Sequence, residues 1–142
     1  MSKSNRRIGV VINYGSLLMF LAFFYYGKFG EWNIISTTGS GLSTIIFFAS
    51  LIIVYFKTGL WRLVHTKVEK LDERQLLVTY ESLRYSYSIF SVLCLLIVIS
   101  AEIISDYILI GVDVPLMPIF WVLFLLAHTL PASIIAWTEK EV

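Results

Sequence analysis

With 142 residues, of which 58% are hydrophobic and only 15% charged, this chain is more apolar than an ordinary soluble domain, in which about a quarter of the residues are charged. Its net charge of +1 gives no electrostatic basis for binding nucleic acid. Its single cysteine, Cys94, excludes an internal disulfide and a cysteine-built metal site. Because the charges cluster and long uncharged stretches separate them, we interpret the chain as an all-α integral membrane protein.

Four apolar stretches are long enough to cross a bilayer, whose hydrocarbon core of about 30 Å needs about 20 helical residues. They predict spans at about 8–27, 40–57, 85–107 and 116–137, with a loop at 58–84. The first run is too long for a secretory signal peptide, and bulky aromatic residues occupy the place of a cleavage site. We therefore expect one membrane domain of four transmembrane helices.

The basic residues indicate the orientation of the spans, because loops rich in lysine and arginine stay in the cytosol. Three basic residues precede the first span, six lie between the second and third spans, and one follows the fourth. Only Lys28 lies on the opposite side. Trp61 and Trp137 then fall at the inner interface, and Trp32 and Trp121 at the outer one, as indole rings prefer. Both termini are predicted to face the cytosol.

The second span follows a run of residues, 36–41, that favour turns and caps over helix interiors. We therefore predict that its helix begins near 39–43 and ends near Phe56, before Thr58-Gly59. The segment 60–70 mixes apolar and charged residues with a spacing that suits an amphipathic helix on the membrane surface. A plain continuation of the second span is the alternative, and the residues leave both open.

The third span is predicted to belong to a longer helix that extends into the cytosol. No glycine or proline occurs between Leu60 and Ile110. Asp72 is placed to cap a helix, and Gln75 to reach back to the Asp72 backbone N–H, as in a capping box. The pattern predicts one continuous helix from about Glu73 to about 105, which would be about 50 Å long.

Ionisable residues inside spans are candidate functional groups, because they are costly there. Glu102 and Asp106 lie one helical turn apart in the third span, and His128 lies midway along the fourth. Glu102 is either a proton, cation or subunit-contact site or an acid that reaches outer water. His128 is either a haem or chlorophyll ligand or proton relay, or a neutral histidine bonded within the bundle. The other histidine, His65, lies in the loop, so a bis-histidine haem is excluded and we expect no cofactor.

Catalytic patterns are missing from the sequence. It has no nucleophile–base motif, no zinc-binding H-E-x-x-H and no phosphate-binding glycine loop, so we expect no enzyme and no catalytic or metal site. Asn13 and several serines of the third span are expected to hydrogen-bond between helices, Ser86, Ser88, Ser91 and Ser100.

The stretch 64–75, which contains Asp72-Glu73-Arg74, and the basic–aromatic stretch 82–90 resemble small four-span membrane proteins of uncharacterised bacterial families. Those proteins carry a "DER" signature before the third span. The resemblance implies the bacterial cytoplasmic (inner) membrane and supplies no catalytic residue. Arg74 can pair with a neighbouring acid or with a headgroup phosphate. A cytosolic docking surface is the functional interpretation of this region, Glu73, Arg74, Gln75, Tyr80, Glu81 and Arg84.

From these observations we expect a non-enzymatic accessory or regulatory membrane protein that acts through protein–protein contacts. Its partners would be the lipid bilayer and another membrane protein or complex, or further copies of itself. One alternative is a small oligomeric transporter or channel that uses Glu102 and His128. A second alternative is a cofactor-binding subunit with His128 as ligand.

Overall fold

The computed structural model describes residues 1–104 and 114–139, and every regular element in them is helical. The α-helices are α1 (Lys3–Phe29), α2 (Ile34–Leu51), α3 (Leu60–His65), α4 (Glu73–Ile103) and α5 (Met117–Thr138). A π-helical segment, Ile52–Phe56, continues α2, and a 3-10 turn, Val68–Lys70, precedes α4. Within the described residues, four helices, counting α2 with its π-helical segment, are long and apolar enough to cross a membrane. The predicted all-helical, four-span class is confirmed at that level.

The predicted start of the second helix near 39–43 was wrong, because α2 begins at Ile34. Asn33 caps it: its Oδ1 accepts the backbone N–H groups of the second and third helical residues at 3.0 Å. Ser36 completes the capping box by accepting the Asn33 N–H at 3.0 Å. The glycine that suggested a turn, Gly39, has a packing role instead. A Cβ there would lie 2.5 Å from the ring of Phe23, so glycine lets α1 and α2 approach closely.

The structure tests one of the two interpretations of 60–70, a plain continuation of the second span. Gly59 has a φ of 79°, in the left-handed region that favours glycine, and it separates the π-helical segment from α3. A plain continuation of the second span is therefore excluded, and the new helix is short. Leu60 is fully buried, and the Trp61 ring stacks between those of Phe56 and His65, with centroid distances of 5.2 and 4.1 Å. Thus α3 is anchored to the bundle by its first residues.

The start of α4 matches the prediction. Asp72 Oδ1 accepts the Gln75 backbone N–H at 2.7 Å, and Gln75 Oε1 accepts the Asp72 backbone N–H at 3.3 Å. The helix is continuous to Ile103. Asp106 and the predicted end of the third span near 107 lie outside the described residues.

The core lies among α1, α2 and α5. Two apolar clusters join these helices, and Leu60 of α3 contributes to one of them. Their buried members are Val10, Val54, Tyr55, Leu60, Ala132, Ile135 and Ala136 in the first cluster and Leu17, Phe47 and Val122 in the second. By contrast, α4 packs on α5 and α3, and its buried residues are the small Thr79, Ser82 and Ser86. Three helices therefore form the packed unit, and α4 lies at its side.

Candidate functional site

A chain of hydrogen-bonded polar side chains crosses the core where α1, α2 with its π-helical segment, and α5 meet. We call it the polar network, and its members are Asn13, Tyr14, Ser50, Tyr55, Thr129 and Ser133. All except Tyr14 are classed as buried. Buried polar groups are stable only when their donors and acceptors are paired, so the pairing shows what the network can do.

Ser133 is the hub of the network. Its Oγ lies 2.6 Å from the Tyr14 hydroxyl and 2.7 Å from the Tyr55 hydroxyl, and it donates to the Thr129 carbonyl oxygen at 2.9 Å. A serine hydroxyl has one proton and two lone pairs. Because the proton goes to the carbonyl oxygen, both lone pairs are left to accept the two tyrosine protons. One serine of α5 thereby binds a tyrosine of α1 and a tyrosine of the π-helical segment.

Asn13 joins α1 to α2 in the same way. Its Nδ2 donates to the Phe47 carbonyl oxygen at 3.2 Å and to Ser50 Oγ at 2.8 Å, which uses both amide protons. Its Oδ1 lies 3.4 Å from the Tyr55 hydroxyl, a weak secondary contact because the one proton of that hydroxyl is directed to the nearer Ser133 Oγ. Asn13 is fully buried, so this pairing offsets the cost of placing an amide in the core.

The groups of the polar network are suited to a structural role. Its side chains are hydroxyls and one amide, and no histidine or carboxylate belongs to it. Hydrogen bonds fix the angle and depth of three helices more precisely than apolar contact does. Sequence reasoning identified Asn13 but missed the other members. It was wrong about three serines of α4: Ser86, Ser88 and Ser91 donate to carbonyl oxygens of their own helix.

The ends of α1 and α5 meet in a cluster of basic side chains and carbonyl oxygens, which we call the basic end. Arg6 Nη2 donates to the Glu139 carbonyl oxygen at 2.8 Å, and Arg7 donates to the Trp137 carbonyl oxygen at 3.2 and 2.9 Å. Lys3 Nζ donates to the Thr138 carbonyl oxygen at 2.6 Å. The last carbonyls of a helix have no partner within it and carry partial negative charge, so cations stabilise them. The first two turns of α1 thus cap the C-terminal end of α5.

The Asp72-Glu73-Arg74 signature has identifiable local roles at the basic end. Asp72 caps α4, and Arg74 Nη2 lies 3.2 Å from Glu139 Oε2, which ties α4 to the end of α5. The Arg74 side chain is 67% exposed, so this ion pair contributes about 0–1 kcal/mol. Glu73 is exposed in the first turn. The proposed docking residues Gln75, Tyr80, Glu81 and Arg84 are exposed too, and their role stays a prediction.

A cleft with a volume of about 1100 Å³ opens at the basic end between α3, the start of α4 and the end of α5. Basic side chains line it, with fewer acidic ones and several apolar ones. The basic residues are Arg6, Arg62, Lys67, Lys70 and Arg74, the acidic ones are Asp72 and Glu139, and the apolar ones include Met1, Leu63, Leu71, Val78 and Ile135. Sequence analysis did not identify this cleft, because its walls come from three separate parts of the chain, 1–6, 58–78 and 135–139.

Glu102 and His128 lie outside the polar network. Glu102 is exposed near the end of α4 and makes no hydrogen bond or ion pair with another described residue. His128 is exposed on α5, where its Nδ1–H donates to the Phe124 carbonyl oxygen of the same helix at 2.9 Å. Within residues 1–104 and 114–139, no three histidine, cysteine or acidic side chains come together as a metal site would require.

Comparison of this chain with protein-family models, with curated proteins and with solved structures finds no match.

Proposed function

We propose that this chain is a non-enzymatic accessory or regulatory protein of the bacterial cytoplasmic membrane, and that it acts by binding another membrane protein through α4. Both termini would face the cytosol, because the basic residues concentrate at the end of the molecule where α1 begins and α5 ends. The resemblance of the Asp72-Glu73-Arg74 region to bacterial four-span proteins supports the choice of membrane.

The observation that carries the proposal is the exposed state of α4. In the most apolar stretch of α4, 6% of the residues are buried, whereas 44% are buried in the most apolar stretch of α5. Its buried residues all lie in its first half, and none is buried between Tyr87 and Ile103. The second half therefore buries only one stripe in part, and its remaining faces are exposed to whatever surrounds the bundle; the half-buried residues are Phe90, Leu93, Cys94, Ile97 and Ala101.

Apolar exposure alone does not indicate a partner, because lipid tails solvate leucine and isoleucine well. Glu102 is the residue that favours a protein neighbour over lipid. A carboxylate on a membrane-facing surface costs up to about 3 kcal/mol, less near a helix end, and proteins recover that cost by pairing it. We infer a partner helix that presents a lysine, an arginine or a hydroxyl donor at the depth of Glu102, with α4 as the contact surface.

A photoreactive amino acid placed at exposed positions of α4 and of α2 tests the proposal in intact cells. Ile99 lies one turn before Glu102 on the same face of α4, and Ile45 is a matched exposed isoleucine on α2. We expect a discrete adduct with one larger membrane protein from position 99, none from position 45, and a weaker adduct when Glu102→Gln is added.

Three outcomes would overturn the proposal. Lipid adducts alone from both positions would mean that α4 faces only the bilayer. An adduct of twice the mass of this chain would identify a second copy as the occupant instead of a different protein. Equal protein adducts from positions 45 and 99 would likewise show that α4 has no special role.

A further inference from the structure

We propose that the cleft at the basic end binds the phosphate group of an anionic phospholipid, with the headgroup between α3 and the start of α4. The inference stands independently of the partner proposed for α4, because it uses different residues. It rests on three features of the cleft: its uncompensated positive charge, its mixed lining and its size.

The charge of the cleft is positive after its internal pairs are counted. The Glu139 carboxylate pairs with Arg74, whereas Asp72 accepts the Gln75 backbone N–H and keeps its charge. Five basic side chains against two acidic ones still leave the lining positive. A set of basic side chains remains that makes no hydrogen bond or ion pair with any residue in the described ranges, Arg62, Lys67 and Lys70.

Phosphate is the anion that these groups suit. A guanidinium binds phosphate oxygens through two parallel N–H bonds, and lysine ammonium groups add compact charge beside it. Arg62 comes from α3, whereas Lys67 precedes the following 3-10 turn and Lys70 ends it, so the three charges approach the cleft from consecutive segments. A diester headgroup between them would be contacted from more than one side.

The apolar part of the lining argues for a lipid over a free anion. Leu63, Leu71, Val78 and Ile135 share the cleft with the basic residues. Inorganic phosphate gains nothing from such contacts, whereas the glycerol and upper acyl carbons of a phospholipid do. The volume of about 1100 Å³ also exceeds what a single phosphate needs and lies near the upper end of ordinary ligand sites.

The test is native mass spectrometry of the full-length chain from detergent, titrated with phosphatidylglycerol, with phosphatidylcholine and with inorganic phosphate. One double variant lowers the charge of the cleft, Lys67→Gln and Lys70→Gln. The control double variant makes the same charge change at exposed lysines outside the cleft, Lys57→Gln and Lys28→Gln.

We expect the wild-type chain and the control variant to retain one phosphatidylglycerol in preference to phosphatidylcholine, and the cleft variant to lose affinity for it by about tenfold or more. Equal losses in both double variants would show general attraction to basic charge and overturn the site. Displacement of the lipid by equimolar inorganic phosphate would identify a free-anion site and overturn the lipid assignment. If the cleft variant does not fold, Lys67→Gln against Lys57→Gln gives the same comparison.

Discussion

Replacing Ser133 by alanine tests whether the polar network holds the three core helices together. The substitution removes one oxygen atom and leaves the rest of the side chain in place, so its effect comes from lost hydrogen bonds more than from a cavity. The hydroxyls of Tyr14 and Tyr55 lose the partner at 2.6 and 2.7 Å. Each keeps one longer contact of 3.4 Å, to Thr129 and to Asn13 respectively.

The expected loss of stability follows from those two bonds. Hydrogen bonds between membrane helices average about 0.6 kcal/mol and reach about 1.7 kcal/mol in double-mutant cycles. A buried polar group that is left unpaired costs about 1–3 kcal/mol. With two hydroxyls each retaining a weak contact, Ser133→Ala should lower the free energy of unfolding by about 2 kcal/mol.

Unfolding in mixed micelles of mild detergent and dodecyl sulfate, followed by tryptophan fluorescence, measures this free energy. Ser91→Ala is the matched control, because Ser91 is exposed on α4 and donates to the Tyr87 carbonyl oxygen of its own helix. Its effect should stay within about 0.5 kcal/mol. Tyr55→Phe should cost less when Ser133 is already alanine, because the hydroxyl it removes has lost its main acceptor. Equal effects of Ser133→Ala and Ser91→Ala would refute the reasoning.

Three further predictions use local features of the helices. Gly39→Ala should destabilise the chain by about 1–3 kcal/mol because its Cβ would meet an α1 phenylalanine ring, whereas Gly41→Ala, with open space around it, should be neutral or stabilising in the same unfolding assay. Asp72→Ala should cost about 1 kcal/mol and speed amide exchange at the start of α4, while Asp72→Asn should preserve the cap. In a cysteine-free background, a membrane-impermeant maleimide should label Glu31→Cys on intact cells and Ser4→Cys only after lysis; the reverse pattern would invert the orientation.

Local sequence signals explain which parts of the fold were predictable. The start of α4 was predictable, because a capping box depends on residues three positions apart, and Asp72 and Gln75 are both in place. The start of α2 was not, because Gly39 serves a contact with α1 that no local pattern reveals. Asn33 carried the signal for the true start, since asparagine is among the best caps, but the glycine-rich run that follows it suggested a turn.

The polar network was predictable only by combining topology with depth. Six or seven positions separate three network members from the charged residue that bounds their span at the basic end. These pairs are Asn13 and Arg7, Ser50 and Lys57, and Ser133 and Glu139. At 1.5 Å per residue, all three therefore sit about 10 Å from that boundary, at one level of the bundle. Equal depth does not specify which helix faces meet, because the rotation of each helix depends on packing. The role of Ser133 as the hub therefore could not be derived from the sequence.

The contrast between α4 and the other helices follows from what drives packing in lipid. Apolar surface gains little by leaving lipid tails for another helix, so close approach and hydrogen bonds decide which helices associate. The core helices have both, in Gly39 and in the polar network. Beyond Ser86, α4 makes no interhelical hydrogen bond with the described residues, and its ion pair with Glu139 at the basic end is exposed. Glu102 is then the group on α4 with most to gain from a hydrogen-bonding neighbour, which is why a polar contact at that depth, more than apolar area, would determine a partner.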